Sequence, residues 1–379
     1  MTENNSALPE IIRENPSRNW SVTIVLGLTF LLSITLVPWY GFTTGFSGWA
    51  WLFFGVFLIL NGVGIGSGYH RLWSHCTYKA HPFLRVFLAV FGGMSMQNSI
   101  LVWCARHRIH HRDVDDNSSD PYSIGRGFWF AHIGWMLKDY QSGRIDLSVV
   151  PDLERDPVVA WQHKYYWSLV WITNLGMPLF LGWMVGDMLG VFLLAGIARL
   201  VVNHQFTFSV NSLAHMWGKQ PYTDENSARD NWFVALLTYG EGYHNFHHHF
   251  QNDYRNGIRW WQFDMNKWFI STCALFGLVR GRKRVSRFKI LRAKLNMEFK
   301  RARQRLESDQ QNRPWIESLE QEYAEFAETI KKWQALQVQK MQQGKEALKS
   351  GINTRFRELE FSLKMQRKRL AMLTAQLSV

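Results

Sequence analysis

The chain has 379 residues, 47% of them hydrophobic, with 19 Trp and 26 Phe, long enough by length alone for two folded units. Its net charge of +13 sits entirely at the end: residues 280–379 hold 24 Lys/Arg against 11 Asp/Glu, and the first 279 residues balance. Three cysteines without a CxxC pair, Cys76, Cys104 and Cys273, exclude a disulfide framework and fit a reduced, cytosol-facing setting.

Residues 1–20 open polar and acidic (MTENNSALPE) and form an N-terminal cytosolic segment. Four apolar runs follow: Val22–Val37, Trp49–Ile65, Tyr166–Val185 and Gly186–Val202. Each is close to the length that crosses a hydrocarbon core of ~30 Å. Trp39, Trp49, Trp51, Trp167, Trp171 and Trp183 sit at or near their edges, as interfacial aromatics do. The first run is too long for a removed signal peptide and lacks a small-residue cleavage site, so it reads as a retained anchor. The short links at Pro38–Gly48 and Gly186-Asp187 carry no Lys or Arg, whereas Ser67–Lys164 carries eleven. The cation bias predicts two helical hairpins whose links face out, with both termini and the middle segment cytosolic. His81–Trp103 is apolar but contains Arg85, Gln97 and Asn98, which predicts one in-plane interfacial helix rather than a span.

The fold class is therefore an all-α multipass membrane protein. Four transmembrane helices form two hairpins, a cytosolic helical cap carries a metal site, and the chain ends in a helical extension. Residues 21–280 form the membrane domain and 281–379 a basic, coiled-coil-like region. In that region Phe288, Leu291, Leu295, Phe299, Ala302 and Leu306 step by threes and fours. After a break at Gln311–Pro314 come Ile316, Leu319, Tyr323, Phe326, Ile330 and Trp333. After Ser350-Gly351 the series resumes from Ile352 through Phe356, Leu359, Leu363, Gln366, Leu370 and Leu373 to Leu377. This predicts three helices, either folded back as a hairpin or used for self-association. Interleaved acids and heptads weigh against a nucleic-acid partner. The run Arg280, Arg282, Lys283, Arg284, Arg287, Lys289 suits anionic membrane lipids.

Nine of the fourteen histidines fall into four clusters at the cytosolic ends of spans or in the cap. They are His70 and His75 in HRLWSH; His107, His110 and His111 in HRIHH; His215 in NSLAH; and His244, His247 and His248 in GEGYHNFHH. Positions i and i+4 share a helix face, so His107 and His111 can grip one ion while His110 leans toward a second. His244 and His248 pair likewise, with His247 the odd member, and Asn211 shares a face with His215. Nine imidazoles are too many for one ion, and without an obligatory carboxylate they suit a paired redox metal better than hydrolytic zinc. Asp113, Asp116, Asp120 and Glu241 lie near enough to accept from imidazole N–H groups. His81, His132, His163, His204 and His249 are read as non-ligands.

These four motifs, in this order between these spans, resemble the membrane-bound acyl-CoA desaturases of the stearoyl-CoA desaturase type. DPYSIGRGFWFAHIGW (Asp120–Trp135) and HQFTFSVNSLAHMWG (His204–Gly218) are similar to that family's connecting segments. The resemblance covers roughly residues 21–270 and not the tail. It implies a non-haem centre of two iron ions that uses dioxygen and two external electrons to insert a cis double bond, delta-9, into a saturated acyl-CoA. It implies His70, His75, His107, His111 and His247 on one iron. His110, His215, His244 and His248 would hold the other, with Asn211 reaching it through water.

The chain departs from the animal pattern where CoA contacts are expected. Ala105-Arg106 stands in place of an Arg-Asp pair, and Asp139-Tyr140 in place of an Arg-Lys pair. This leaves acyl-CoA and other acyl esters open as substrates. No haem-binding HPGG segment is present, so the implied electron donor is a separate ferredoxin, flavin reductase or b-type cytochrome. The expected location is the bacterial inner membrane, or the ER membrane in a eukaryote. Two alternatives are a hydroxylase of the same histidine-box family and, from another class, a histidine-lined divalent-metal transporter. The transporter would need polar residues lining a path within the spans, and these spans hold few.

Overall fold

The computed structural model describes residues 16–307, 313–343 and 351–376. The opening MTENNSALPE, the expected breaks at Gln311-Asn312 and Ser350, and Leu377 lie outside the described residues. The chain packs as two units, one comprising the chain up to Lys219 and Asn226–Arg284, the other Gln220–Glu225 and Val285–Val379.

In the first unit, α1 (Trp20–Thr43) starts where the Asn19 side chain accepts from the Val22 N–H at 3.2 Å. α2 (Gly48–Ser74) starts likewise where Ser47 Oγ accepts from the Ala50 N–H at 3.2 Å. The last part of α2, Gly64–Ser74, winds as a π-helix. Its glycines allow close approach: a Cβ on Gly64 would fall 2.3 Å from the Gly92 backbone nitrogen. A short strand β1 (Lys79–Ala80) leads to α3 (Pro82–Gly93).

The single helix expected over His81–Trp103 is two. Met96 and Asn98 adopt left-handed φ values of 53° and 77°, which breaks the helix before α4 (Ile100–Arg112). The Tyr166 hydroxyl accepts from the Asn98 N–H at 3.0 Å and holds this corner.

A helix at 166–184, α5, is π-helical at Ile172–Gly176. After it comes α6 (Met188–Met216). α1, α2 and α6 are long and apolar enough to cross a membrane. α5 is not among them, because Tyr166, Ser168, Thr173 and Asn174 dilute its apolar character. Three of the four expected spans thus qualify, and the two-hairpin count is not confirmed. Asp187 joins the two short links: it accepts from the Tyr40 hydroxyl at 2.8 Å and from the Ser47 N–H at 3.1 Å.

Two further elements complete the unit's cap, α7 (His244–His249) and α8 (Met265–Leu275). Strand β2 (Val279–Arg280) pairs antiparallel with β1. Beneath the histidine motifs the core gathers Tyr69, Trp73, Leu88, Ile100, Cys104 and Ile270.

The second unit is a three-helix bundle of α9 (Arg287–Glu307), α10 (Arg313–Gln343) and α11 (Ile352–Gln376). Phe288 stacks on Trp333 at 4.4 Å and Phe299 meets Phe326 at 5.5 Å, so α9 and α10 run antiparallel. Trp333 meets Phe356, and Arg369 pairs with Glu322 at 2.5 Å, so α11 reverses again. The heptads therefore fold back on one another. Gln366, at a core position, donates to Thr329 Oγ1 at 3.1 Å, a polar pair that favours one register.

Candidate metal centre

Four local structures deliver the histidines, one of them the last turn of α6, which carries His215. α4 carries His107, His110 and His111 on successive faces of one turn, and α7 repeats the pattern with His244, His247 and His248. The fourth is the π-helical end of α2. On an α-helix, residues five apart point about 140° from each other. Here the His75 N–H donates to the His70 carbonyl at 3.1 Å, a π-type turn, and the two rings come within 4.8 Å. The sequence reading did not foresee this turn; its signal is the glycine run Gly62, Gly64, Gly66, Gly68.

The nine histidines form two groups. His70, His75, His107, His111 and His247 bring one ring nitrogen each within 4.8 Å of one another, and His110, His215, His244 and His248 do the same. The groups abut where His111 and His248 stack at 4.3 Å. The closest Nε2 pairs are His70–His247 and His75–His107 at 2.9 Å, His111–His247 at 3.0 Å, and His215–His244 and His244–His248 at 3.1 Å.

These spacings test the fit to a metal. Imidazole–metal bonds of about 2.1 Å at right angles set adjacent nitrogens about 3.0 Å apart, whereas a tetrahedron sets them about 3.4 Å apart. The observed spacing matches right-angle coordination, which a structural tetrahedral zinc does not use. The outer nitrogens agree. His70 Nδ1 lies 3.0 Å from Glu241, His110 Nδ1 2.9 Å from Asp120, and His215 Nδ1 2.7 Å from Ser227 Oγ. Carboxylate acceptors fix the proton on Nδ1 and turn the Nε2 lone pair inward. Inward Nε2 atoms 2.9–3.1 Å apart either share a proton or bracket a cation, and nine such rings in two groups fit two metal ions.

Burial, reinforced by neighbouring imidazoles, holds His75, His107, His111, His247 and His248 well below the usual histidine range. It holds His244 down at about 3. The rings are therefore neutral, the form that binds metal. Burial alone would raise the Glu241 carboxyl, but the Arg71 guanidinium and His70 beside it outweigh that and hold it well below its ordinary value. Glu241 also accepts from Asn256 Nδ2 at 2.6 Å, and Arg71 reaches Asp264 at 3.0 Å, forming a buried network behind His70.

Of the four acids proposed as acceptors, Asp120 and Glu241 reach a ring. Asp113 pairs with Arg112 at 2.7 Å, and Asp116 accepts from the Ser118 N–H at 2.7 Å. Two contributors were missed. Asp115, in a left-handed turn at φ 68°, accepts from Ser227 Oγ at 2.6 Å and so backs His215, while Tyr122 Oη approaches His107 Nδ1 at 3.4 Å. The run DVDD (Asp113–Asp116), one residue beyond HRIHH, was the available signal. The other histidines lie outside both groups. His132 contacts Ser212 and Gln205, His163 contacts Ser99, His204 reaches the Ser95 carbonyl, His81 caps α3, and His249 is exposed against Phe250.

A cavity of about 760 Å³ opens onto His70, His107 and His244. Leu26, Trp103 and Phe208 give it apolar wall, Arg106, Lys138 and Arg144 add cations, and Asn211 lines it. Trp103 stacks on His107 at 4.7 Å and so connects the wall to the histidines.

A family model for fatty acid desaturases matches residues 46–280. The chain is 43% identical over 275 residues to a probable acyl-CoA desaturase of Schizosaccharomyces pombe, which covers 71% of this chain and 57% of that protein. It is 40% identical over 290 residues to acyl-CoA desaturase 1 of Saccharomyces cerevisiae, covering 75% and 55%. To stearoyl-CoA desaturase 5 of Bos taurus it is 37% identical over 275 residues, covering 71% and 80%. The chain thus spans just over half the length of the two fungal relatives. With the match running through every histidine motif, the chain belongs to the fatty acid desaturase family.

Proposed function

We propose that this protein is a membrane-bound acyl-CoA desaturase that inserts a cis double bond, delta-9, into a saturated acyl chain. The balance is one saturated acyl chain, one dioxygen, two electrons and two protons giving one unsaturated chain and two waters. The observation that carries the reading is the cavity, apolar in part and cationic in part, opening onto two histidine groups with metal-like spacing.

His70, His75, His107, His111 and His247 would hold one iron, and His110, His215, His244 and His248 the other, with Asn211 acting through water. Two irons bound there would supply dioxygen chemistry strong enough to oxidise an unactivated methylene. The chain's own residues do the rest. Asp120, Glu241 and Ser227 hold imidazole protons on Nδ1 and fix the ring orientations. Trp103 and Phe208 hold the acyl chain against the histidines and keep water out. Arg106, Lys138 and Arg144 suit the phosphates of CoA, and this favours acyl-CoA over an uncharged ester.

We further propose four spans with α5 as the third, both termini and the metal centre cytosolic, and a separate electron donor. On this reading the tail expected from residue 281 is, beyond Arg284, a helical module distinct from the membrane domain and able to self-associate. The test is expression in a host lacking desaturase, with lipid analysis and metal content. A new monounsaturated acyl chain with about two irons per protein supports the reading. A hydroxylated product would assign the sibling reaction, and metal uptake without a lipid product would assign transport.

A further inference from the structure

We propose that the outward face of the β1–β2 ribbon, with the adjoining exposed faces of α3 and α8, binds an anionic phospholipid. Lys79 and Arg280 are register partners on the ribbon, so their side chains leave it on the same face. Both are exposed, whereas the neighbouring pair turns inward with Val279 buried. Like charges directly opposed destabilise a ribbon. Among the described residues neither cation has an ion-pair or hydrogen-bonding partner for its side chain. An anion between them removes the repulsion.

The surroundings define the rest of the ligand. The His81 N–H donates to the Leu278 carbonyl at 2.8 Å, joining the start of α3 to the end of α8. Phe87 stacks on Phe269 at 6.3 Å along the same pair of helices. The outer sides of these elements are apolar and open: Phe83 is 67% exposed, Leu275 86% and Phe276 76%, with Val86 and Trp268 also exposed. α3 itself packs on the membrane-crossing α2 through the Gly64–Gly92 contact. Free phosphate gains nothing from these side chains. A phosphodiester carrying acyl chains satisfies the cations and covers the apolar faces together.

Each Lys or Arg near an anionic lipid surface contributes about fivefold in affinity, so the pair contributes about thirtyfold. The full chain in nonionic micelles, mixed with equal phosphatidylglycerol and phosphatidylcholine and repurified, is assayed by mass spectrometry of retained lipid. The wild type retains phosphatidylglycerol preferentially. Lys79→Gln/Arg280→Gln reduces that preference about thirtyfold with an unchanged melting temperature, and Lys79→Arg/Arg280→Lys keeps it. Phe83→Ser/Phe276→Ser lowers retention of both lipids while the preference persists. Equal retention by the wild type, an unaltered preference in the Gln variant, loss of preference together with the fold, or displacement by inorganic phosphate at the lipid's concentration each overturn the proposal.

Discussion

Glu241 Oε1 receives a hydrogen bond from the Arg71 guanidinium at 2.8 Å, with both side chains buried, while its other oxygen lies 3.0 Å from His70 Nδ1. One carboxylate thus neutralises a buried cation and orients a ring. Glu241→Ala leaves Arg71 with one acid fewer, a loss of about 3–5 kcal/mol for a broken buried pair. That protein is expected to accumulate poorly. Glu241→Gln keeps the shape but offers one acceptor where two are used. Iron affinity should fall about 10- to 100-fold with the fold retained, read as iron per chain at fixed free iron. Full iron affinity in the Gln variant would refute the positioning role.

The α7 triplet separates from its neighbour. His247→Ala and His248→Ala each remove a ring from a different group and should abolish product. His249→Ala should retain most activity, because His249 is exposed and outside both groups. Equal loss in all three, measured by product lipid per chain, would contradict the assignment.

Two groups of this kind could hold two ions. The active protein should carry about two irons per chain, and chelation should remove activity that iron, not zinc, restores. Elemental analysis beside turnover decides the point, and one iron with full turnover would contradict it.

Acid should destabilise the metal-free chain. The folded-state pKa of His244, about 3, lies below the unfolded value of about 6.5. Its contribution is present above the unfolded value and lost as pH falls toward the folded one, because the unfolded chain binds the proton more readily. His107, His111 and His247 shift the same way. The melting temperature of the chelated protein should therefore fall steadily below about pH 6.5. A flat profile down to pH 4.5 would contradict neutral rings.

The point of truncation matters. The Lys283 N–H donates to the Thr77 carbonyl at 2.8 Å, the Tyr254 N–H to the Lys283 carbonyl at 3.1 Å, and Arg284 to Tyr254 Oη at 2.8 Å. Thr77 lies two residues after His75. A chain ending at Arg284 should keep its iron, whereas one ending at Gly281 should lose stability by about 2–3 kcal/mol as these hydrogen bonds go. Melting temperature and iron content of the two truncations test this. Identical behaviour would show the stitches to be idle.

Much of the histidine geometry was legible because it is local. His107/His111 and His244/His248 share faces at a spacing of four, and His110 and His247 stand off them, as the two groups show. What was not legible depended on tertiary contact. His70 and His75 meet only because α2 ends as a π-helix, and that winding follows from glycines packed against α3. The break at Met96 and Asn98 was missed although Asn tolerates the left-handed conformation; Met96 gives no such signal by type. The link from Asp115 through Ser227 to His215 spans 112 positions, a distance that periodicity cannot cross. The spans were read from apolar length. α5 carries enough hydroxyl and amide groups to fall outside that criterion.

His70 and His247 touch at 2.9 Å across 177 positions of chain. During synthesis at about 5–20 residues per second, the first emerges roughly 10–35 s before the second. Over the last 136 of those positions His70, His75, His107 and His111 have all been made while α7 has not. Four imidazoles without their fifth partner are a set that zinc can take tetrahedrally. The five-histidine group is complete only once α7 has been made, so its full set of ligands would be open to an ion only late in synthesis.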